Sequence, residues 1–312
     1  MDINQTIFNE LIKRGYSIRG KNRIWNLGDS KLLYITPELA QGFLNLEKFD
    51  IYKKKVYDIE VKLLKENAAK IFKLGKKKDL NLIDLGCGNG KKTKEFVISL
   101  RGKGDLRYCP VDVSSYFIKK AISNIKSGKF KNIKNYAPSV SDFENLDNVL
   151  GLYRNGTYQR NLILLLGNTL ANFEINDFLF NLSNGMLEGD IIVMGNGIRT
   201  GPRLVALETY KNKAFDNWFF GVMKGLGFKK NEVQYDARFV NSRVECFYKI
   251  MANKKINYLG NEVEFKKGDK IVLAVLYKYY EEELLNFTGR YFKTVEGIKD
   301  PDDGYMLLIC KK

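Results

Sequence analysis

Residues 80–96 read LNLIDLGCGNGKKTKEF, and this stretch decides the fold. The apolar run LNLIDL predicts a buried strand. Glycines follow at positions 86, 88 and 90, and the segment KKTKEF then has the pattern of a helix. A strand, a glycine loop and a helix in this order predict a loop whose backbone N–H groups face a ligand.

Two common phosphate-binding motifs do not fit this loop. A P-loop needs GxxxxGK[ST], whereas GCGNGK at 86–91 is one residue short and Lys92-Thr93 follows at the wrong offset. A nicotinamide fingerprint needs GxGxxG, whereas the chain has GxGxG. The remaining candidate ligand is S-adenosylmethionine (SAM), which carries a carboxylate, a sulfonium and a ribose.

Acidic residues stand where such a cofactor needs them. Asp112 ends the second predicted strand about twenty residues beyond the loop, where a carboxylate can accept from both ribose hydroxyls. Asp142 and Phe143 follow the third strand, where they can accept from an adenine amino group and pack on its ring. Asp112 alone could be a helix N-cap and Phe143 alone a core aromatic. Their joint order on one βα frame favours the cofactor site.

The predicted elements form a regular pattern up to residue 198. Strand and helix alternate five times, and the strands are apolar throughout, which predicts a doubly wound α/β sheet covered on both faces. After Gly201-Pro202 a helical stretch at 203–230 gives way to alternating β segments, with turns at Gly260-Asn261 and Gly268-Asp269. The chain therefore predicts an α/β module and a β-rich addition.

Composition narrows the function classes. The chain has 312 residues, 45% of them hydrophobic, and no histidine, which excludes His-dependent triads and His metal sites. No apolar window reaches the ~18 residues of a membrane span, and the four cysteines are scattered, so we expect a cytoplasmic protein with reduced thiols and no membrane partner. The net charge of +16 suits a polyanion, but the lysines are spread over the whole chain. A nucleic-acid partner is therefore not favoured, although it stays open.

The sequence resembles the SAM-dependent, histidine-specific methyltransferase family. The matching segments are 84–93, PVDVS at 110–114, SDF at 141–143, LLGNTLANF at 165–173, VNSRVECFYKI at 240–250 and DGYMLLI at 303–309. The resemblance implies a Rossmann-like methyltransferase module and a family-specific α+β substrate domain, which is built from the N-terminus and a late insertion. We expect residues 61–198 and 280–312 in the SAM-binding domain, and residues 1–60 and 199–279 in the substrate-recognition domain.

The resemblance also implies the roles of individual residues. Asn172 matches the asparagine that holds the amino and carboxylate end of the substrate, and Thr169 lies in the same turn. The family's tyrosine segment is poorly kept, and Tyr52 and Tyr57 are the nearest catalytic candidates beside Asn172. The implied cofactor contacts are Asp84, Gly86, Gly88, Gly90, Lys92, Thr93, Asp112, Asp142, Phe143 and Gly167.

One departure from the family concerns the substrate. Enzymes that act on histidine carry Glu and Ser two residues apart on a late strand, and these side chains grip the imidazole. Here the strand reads LAVLYKYY, so Ala274 and Leu276 take those positions. A buried imidazole without polar partners costs roughly 1–3 kcal/mol. The substitution predicts an amino acid or amine other than histidine, unless the register of this strand is misread.

Three classes of function stay open at this point. The first is a SAM-dependent N-methyltransferase for a small amine. The second is a methyltransferase for RNA or protein, although the turn GNTLANF lacks the NPPY or DPPY pattern of base-methylating enzymes. The third is a cofactor-binding protein without turnover. No metal-ligand cluster is recognisable, methyl transfer from SAM needs none, and the general base, the acceptor and the oligomeric state do not follow from the sequence.

Overall fold

A computed structural model describes residues 3–28, 30–75, 79–201, 207–258, 260–302 and 304–312. The chain divides into two compact units. Unit 1 comprises Met1–Phe49 and Arg203–Tyr277, and unit 2 comprises Asp50–Pro202 and Lys278–Lys312. Each unit has its own cluster of buried hydrophobic side chains. Within the described part of the chain, no helix is both long and apolar enough to cross a bilayer.

Unit 2 contains the predicted doubly wound sheet. Its strands are β3 (Asp79–Leu85), β4 (Asp105–Asp112), β5 (Ile133–Tyr136), β6 (Ser139–Val140), β7 (Arg160–Leu165), β8 (Ile191–Gly197), β14 (Thr294–Lys299) and β15 (Tyr305–Lys311). The order is β14-β15-β8-β7-β3-β4-β5, with β6 beside β4. Strands β3 to β8 run parallel, whereas β15 pairs antiparallel with β8 and β14 with β15. The order reverses at β3, where this class of sheet binds its ligands beyond the carboxyl ends of the strands.

The helices of unit 2 form two packed groups. They are α3 (Asp50–Tyr52), which continues into a π-helix (Lys53–Tyr57), α4 (Asp58–Leu74), α5 (Lys91–Ser99), α6 (Ser115–Ser127), α7 (Leu146–Leu152), α8 (Ile175–Gly185) and α11 (Glu281–Gly289). Helix α5 packs against α4 and α6, and α8 packs against α7 and α11. Helix α4 ends at Leu74, and Gly75 is its C-cap. The α/β fold expected from the alternating strands and helices is confirmed.

Unit 1 is built around an antiparallel sheet with one parallel pair. Its elements are α1 (Ile3–Arg14), β1 (Tyr16–Arg19), β2 (Asn22–Asn26), α2 (Pro37–Leu46), α9 (Leu207–Tyr210), α10 (Lys213–Gly225), β9 (Val233–Val240), β10 (Arg243–Ile250), β11 (Lys254–Tyr258), β12 (Asn261–Phe265) and β13 (Lys270–Tyr277). The main sheet has the order β1-β2-β13-β10-β9, and β11 and β12 form a separate hairpin. Strands β1 and β2 pair antiparallel, and β2 pairs parallel with β13. The sequence pattern did not predict β1, β2 or, in unit 2, β14.

Candidate active site

The glycine loop joins β3 to α5 at the point where the strand order reverses. The N–H groups of Gly86 and Cys87 donate to the Val111 carbonyl oxygen at 2.8 and 3.1 Å, which ties the loop to β4. Gly90 has φ 69° and caps α5. A Cβ at this position would lie 2.8 Å from Cα of Ala121 on α6, so the close packing of the two helices requires glycine.

Asp112 lies directly beside this loop. Its carboxylate accepts from the N–H of Gly88 at 3.1 Å and from the N–H of Ser114 at 3.0 Å. Burial raises its pKa to about 6, against the opposing effect of these hydrogen bonds. The backbone of Val113 is a third hydrogen-bond donor to this carboxylate, which leaves about one of its four lone-pair sites open. A Cβ at Gly88 would meet no atom within 4 Å, so the loop borders open space next to this carboxylate.

Asp84 and Thr93 lie beneath the loop. Asp84 accepts from the Tyr108 hydroxyl at 2.7 Å and is also hydrogen-bonded to Thr93. Burial raises the pKa of Asp84 to about 7 despite both bonds. Both residues are buried and bonded to each other, so their geometry suits support of the loop.

The adenine-side candidates, Asp142 and Phe143, follow β6. The Phe143 ring meets the loop, since a Cβ on Gly86 would lie 3.3 Å from Phe143 Cζ and 3.4 Å from Thr169 Cγ2. Phe143 also packs on Phe173, with 5.3 Å between ring centroids. The Asp142 carboxylate accepts from the N–H of Glu144 at 3.1 Å, which forms a local turn. The structure therefore brings Gly86, Phe143 and Thr169 together.

The turn after β7 is fixed by hydrogen bonds to β8. Asn168 has φ 63°, its N–H donates to Gly195 O at 3.2 Å, and its Oδ1 accepts from the Gly197 N–H at 2.5 Å. A short 3-10 helix, Thr169–Asn172, follows. Asn172 is partly exposed at its end, and its side-chain amide makes no hydrogen bond to any residue that the structure describes.

Glu60 is a site residue that the sequence did not single out. It is 0% exposed in the first turn of α4. Its carboxylate accepts from the Gly167 N–H at 2.9 and 3.1 Å, from the Tyr305 hydroxyl at 2.6 Å, and pairs with Lys92 Nζ at 2.6 Å. The predicted cofactor residues Lys92 and Gly167 thus meet on one buried carboxylate. In the sequence Glu60 looks like an ordinary charged residue of an amphipathic helix.

The two candidate tyrosines surround the same cluster. Tyr57 ends the π-helix, and its ring centroid lies 5.8 Å from Lys92 Nζ. Tyr52 lies near Tyr305, where burial, the Glu60 carboxylate and then Tyr52 raise the pKa of the Tyr305 phenol well above its usual range. Tyr52 and Tyr57 are therefore gathered with Lys92, although neither is placed against Asn172 by a described hydrogen bond.

Ala274 and Leu276 lie on β13 in unit 1. Ala274 pairs with Cys246 and Leu276 with Val244, and a bulge at this point leaves Leu273 without a partner on β10. Ala274 belongs to the hydrophobic cluster of unit 1, and Leu276 packs against it. Both positions therefore have apolar surroundings within their own unit.

A family model and a curated relative both match this chain. The model of a family described as histidine-specific, SAM-dependent methyltransferase matches residues 52–312. A curated relative, the N-methyltransferase imqF of Aspergillus flavus, is 23% identical over 248 residues. That match covers 72% of this chain and 65% of the relative, so the chain spans less than two thirds of the relative's length.

Solved structures with similarity to the chain are distant. The PH0226 protein of Pyrococcus horikoshii has a TM-score of 0.44 and 12% identity, covering 88% of this chain and 99% of that one. The SAM-bound amino pentose methyltransferase CalS10 of Micromonospora echinaspora has a TM-score of 0.36 and 11% identity, covering 81% of this chain and 92% of that one.

Proposed function

Because the chain belongs to the histidine-specific, SAM-dependent methyltransferase family, we propose that it methylates the nitrogen of an amino acid or related amine other than histidine. Membership confirms the expected cofactor, SAM, and the expected class of enzyme. The Aspergillus relative is an N-methyltransferase, which supports nitrogen as the acceptor atom. The acceptor and its specificity are our inference.

The residues around the glycine loop fit the groups of SAM. The acceptor capacity that Asp112 retains can take a ribose hydroxyl, and the ring of Phe143 offers an apolar face beside Gly86. The Lys92 ammonium has three N–H donors, of which the Glu60 pair occupies one, so it can also bind a carboxylate. When bound, SAM supplies an activated methyl group. The residues of the chain then have to hold the two reactants in line.

Asn172 carries the proposal for the acceptor. Its amide has no described partner, yet the turn that bears it is held on β8 by Asn168 and on Glu60 by Gly167. An amide can accept from an amine N–H and donate to a carboxylate. A rigid turn that presents such a group suits the amino and carboxylate end of an amino acid.

Ala274 and Leu276 support an acceptor other than histidine. Neither side chain has a polar atom, and both lie in the hydrophobic environment of unit 1. An imidazole held there would lose hydrogen bonds at a cost of about 1–3 kcal/mol. We therefore propose unit 1 as the substrate-recognition domain and an acceptor with an apolar side chain.

The four buried free cysteines fit a reducing compartment, and we place the enzyme in the cytoplasm.

An ammonium acceptor must lose a proton before transfer. Tyr52 and Tyr57 remain our candidates for a role in that step, because both lie near the Lys92–Glu60 pair.

A labelling experiment tests this function. Purified protein and methyl-labelled SAM are incubated with a cell extract split by size, with free histidine as a separate acceptor. Label in the small-molecule fraction and none on histidine is the expected result. Label on RNA or protein would contradict it and favour a macromolecular acceptor instead. Label on histidine would contradict the assignment of Ala274 and Leu276, and cofactor binding without any transfer would favour a binding protein.

Asn172→Ala tests the acceptor end. We expect kcat/KM for the amine to fall about 10- to 100-fold, because a hydrogen bond to a charged group is lost. The dissociation constant for S-adenosylhomocysteine should stay within roughly twofold of wild type. Asn181→Ala, at an exposed position of α8, is the matched control and should leave both quantities unchanged. An equal loss of kcat/KM in both variants would show that Asn172 does not bind the acceptor.

A further inference from the structure

We propose that Glu60 is the positioning residue of this site: its buried carboxylate holds Lys92 of α5 and Gly167 of the β7 turn at a fixed spacing. This inference rests on the proposed function, because α5 follows the cofactor loop and the turn bears Asn172. Glu60 itself is fully buried, so we assign it no direct contact with a reactant. Its effect is exerted through the two residues that it holds.

Every described partner of the Glu60 carboxylate is a hydrogen-bond donor. They are a backbone N–H, a phenol and an ammonium, at 2.6–3.1 Å. The phenol of Tyr305 remains protonated, because burial raises its pKa well above its usual range. A carboxylate accepts on both oxygens, whereas the amide of glutamine would put an NH₂ group against one of these donors. The surroundings therefore favour glutamate over glutamine at this position.

The fold makes room for this carboxylate. A Cβ at Gly195, on β8, would lie 1.8 Å from Glu60 Oε1 and 2.8 Å from the Tyr305 hydroxyl oxygen. The N–H of Asn168 donates to the carbonyl of the same Gly195. Four segments, α4, α5, the β7 turn and the β8–β15 pair, thus converge on one side chain.

Stability alone gives a weak reason for such a group. A buried ion pair is often no more stable than well-packed apolar side chains of the same volume, although breaking it by removing one partner is costly. The position of this pair is what distinguishes it. Lys92 lies on α5 and Gly167 in the β7 turn, and these two segments carry the predicted cofactor and acceptor contacts. Apolar side chains in place of both members of the pair could have filled a purely structural role.

Two near-isosteric variants separate positioning from stability. Glu60→Gln removes the charge that holds Lys92. Tyr305→Phe removes a donor of the same carboxylate and a hydrogen bond from the backbone of Asn168, but it leaves the Glu60 bonds to Lys92 and Gly167 in place. The measurements are the melting temperature, the dissociation constant for S-adenosylhomocysteine by calorimetry, and hydrogen exchange of the Gly167 amide, resolved by NMR from the neighbouring Asn168 amide, which bonds to Tyr305.

We expect both variants to lose several degrees in Tm. Only Glu60→Gln should weaken S-adenosylhomocysteine binding about tenfold or more and speed exchange at Gly167. If its folding is impaired, Glu60→Asp, which keeps the charge but has a shorter reach, should show the same contrast with Tyr305→Phe. The proposal would be overturned if the two variants bound S-adenosylhomocysteine within roughly twofold of each other, or if Gly167 exchanged equally fast in both.

These readouts need no methyl acceptor. A failure to methylate any amine would therefore count against the proposed function, whereas equal ligand binding by the two variants would count against Glu60 alone.

Discussion

Two buried carboxylates beside the glycine loop have raised pKa values. Burial outweighs their hydrogen bonds and brings Asp84 to about 7 and Asp112 to about 6. The two differ in surroundings, because Asp84 lies beneath the loop and Asp112 borders the open space at Gly88. Titration of Asp84 should therefore affect stability, and titration of Asp112 should affect ligand binding.

Binding of S-adenosylhomocysteine should weaken as the pH falls through about 6, because protonated Asp112 loses acceptor capacity towards the ribose. Below that pKa we expect the dissociation constant to rise up to about tenfold per pH unit. Calorimetry between about pH 5 and about pH 8 measures it. Asp112→Asn should bind weakly at every pH with a flatter profile. If Asp112→Asn showed the wild-type pH dependence of the dissociation constant, a group other than Asp112 would be responsible for it.

Asp84 should make the folded protein less stable as the pH rises. Its pKa is 3.8 ordinarily and about 7 here, so the folded state holds a proton that the unfolded chain has lost between these values. Its contribution to the free energy of unfolding therefore falls across this window and is lowest above pH 7. Asp84→Asn cannot ionise. Its stability relative to wild type should grow by about 2–3 kcal/mol from about pH 5 to about pH 8 in urea unfolding.

The control for that measurement is Asp147→Asn, at an exposed position of α7. Its stability difference from wild type should not change in the same direction with pH. If the stability difference between Asp84→Asn and wild type did not change with pH, the raised pKa of Asp84 would be contradicted.

Local motifs made some residues predictable and left others hidden. Gly86, Asp112 and Phe143 stand at fixed offsets on a βα frame, so their proximity follows from the sequence pattern. The burial of Glu60 depends on Lys92, Gly167 and Tyr305, which are distant in the chain, and no local periodicity encodes such contacts. The sequence therefore indicated the residues that gather at the glycine loop and missed Glu60, which ties the neighbouring segments together.

At the scale of elements, the packing of α5 on α6 depends on a single glycine. Gly90 and Gly88 both have positive φ, at 69° and 49°, but only Gly90 faces backbone, that of Ala121. Gly90→Ala adds steric conflict to conformational strain and should cost about 2–5 kcal/mol of unfolding free energy. Gly88→Ala should cost only about 1–2 kcal/mol, from strain.

Urea unfolding compares the two alanine variants directly. Because the Cβ of Gly88→Ala enters the open space by Asp112, this variant should also weaken S-adenosylhomocysteine binding while it stays folded. Equal stabilities of the two variants would show that the α5–α6 contact relaxes without cost.

The buried strands were predictable, whereas strands with weak patterns were not. Strands β3, β4, β7 and β8 are apolar and almost wholly buried, which marks parallel sheet in a sequence. Strand β1 is exposed at all four residues, and β2 is held by a parallel pairing with the distant β13. The bulge at Leu273 also breaks the alternation of β13, so its faces could not be read by counting alone.

At the scale of the whole molecule, the two units have separate hydrophobic cores. The chain has 2 tryptophans, and both Trp25 and Trp218 are buried in the core of unit 1. All the residues of the glycine loop, by contrast, lie in unit 2. Tryptophan fluorescence therefore reports the unfolding of one unit, and S-adenosylhomocysteine should bind the other.

We expect S-adenosylhomocysteine to stabilise unit 2 selectively. A ligand at 100 times its dissociation constant adds about 2.7 kcal/mol to the state that binds it. In urea unfolding, the fluorescence midpoint should stay unchanged while the far-UV circular dichroism, which reports both units, acquires a phase that moves to higher urea. Separate cores permit this, because neither cluster draws its side chains from both units. Equal shifts of both signals would show that the units unfold as one cooperative structure.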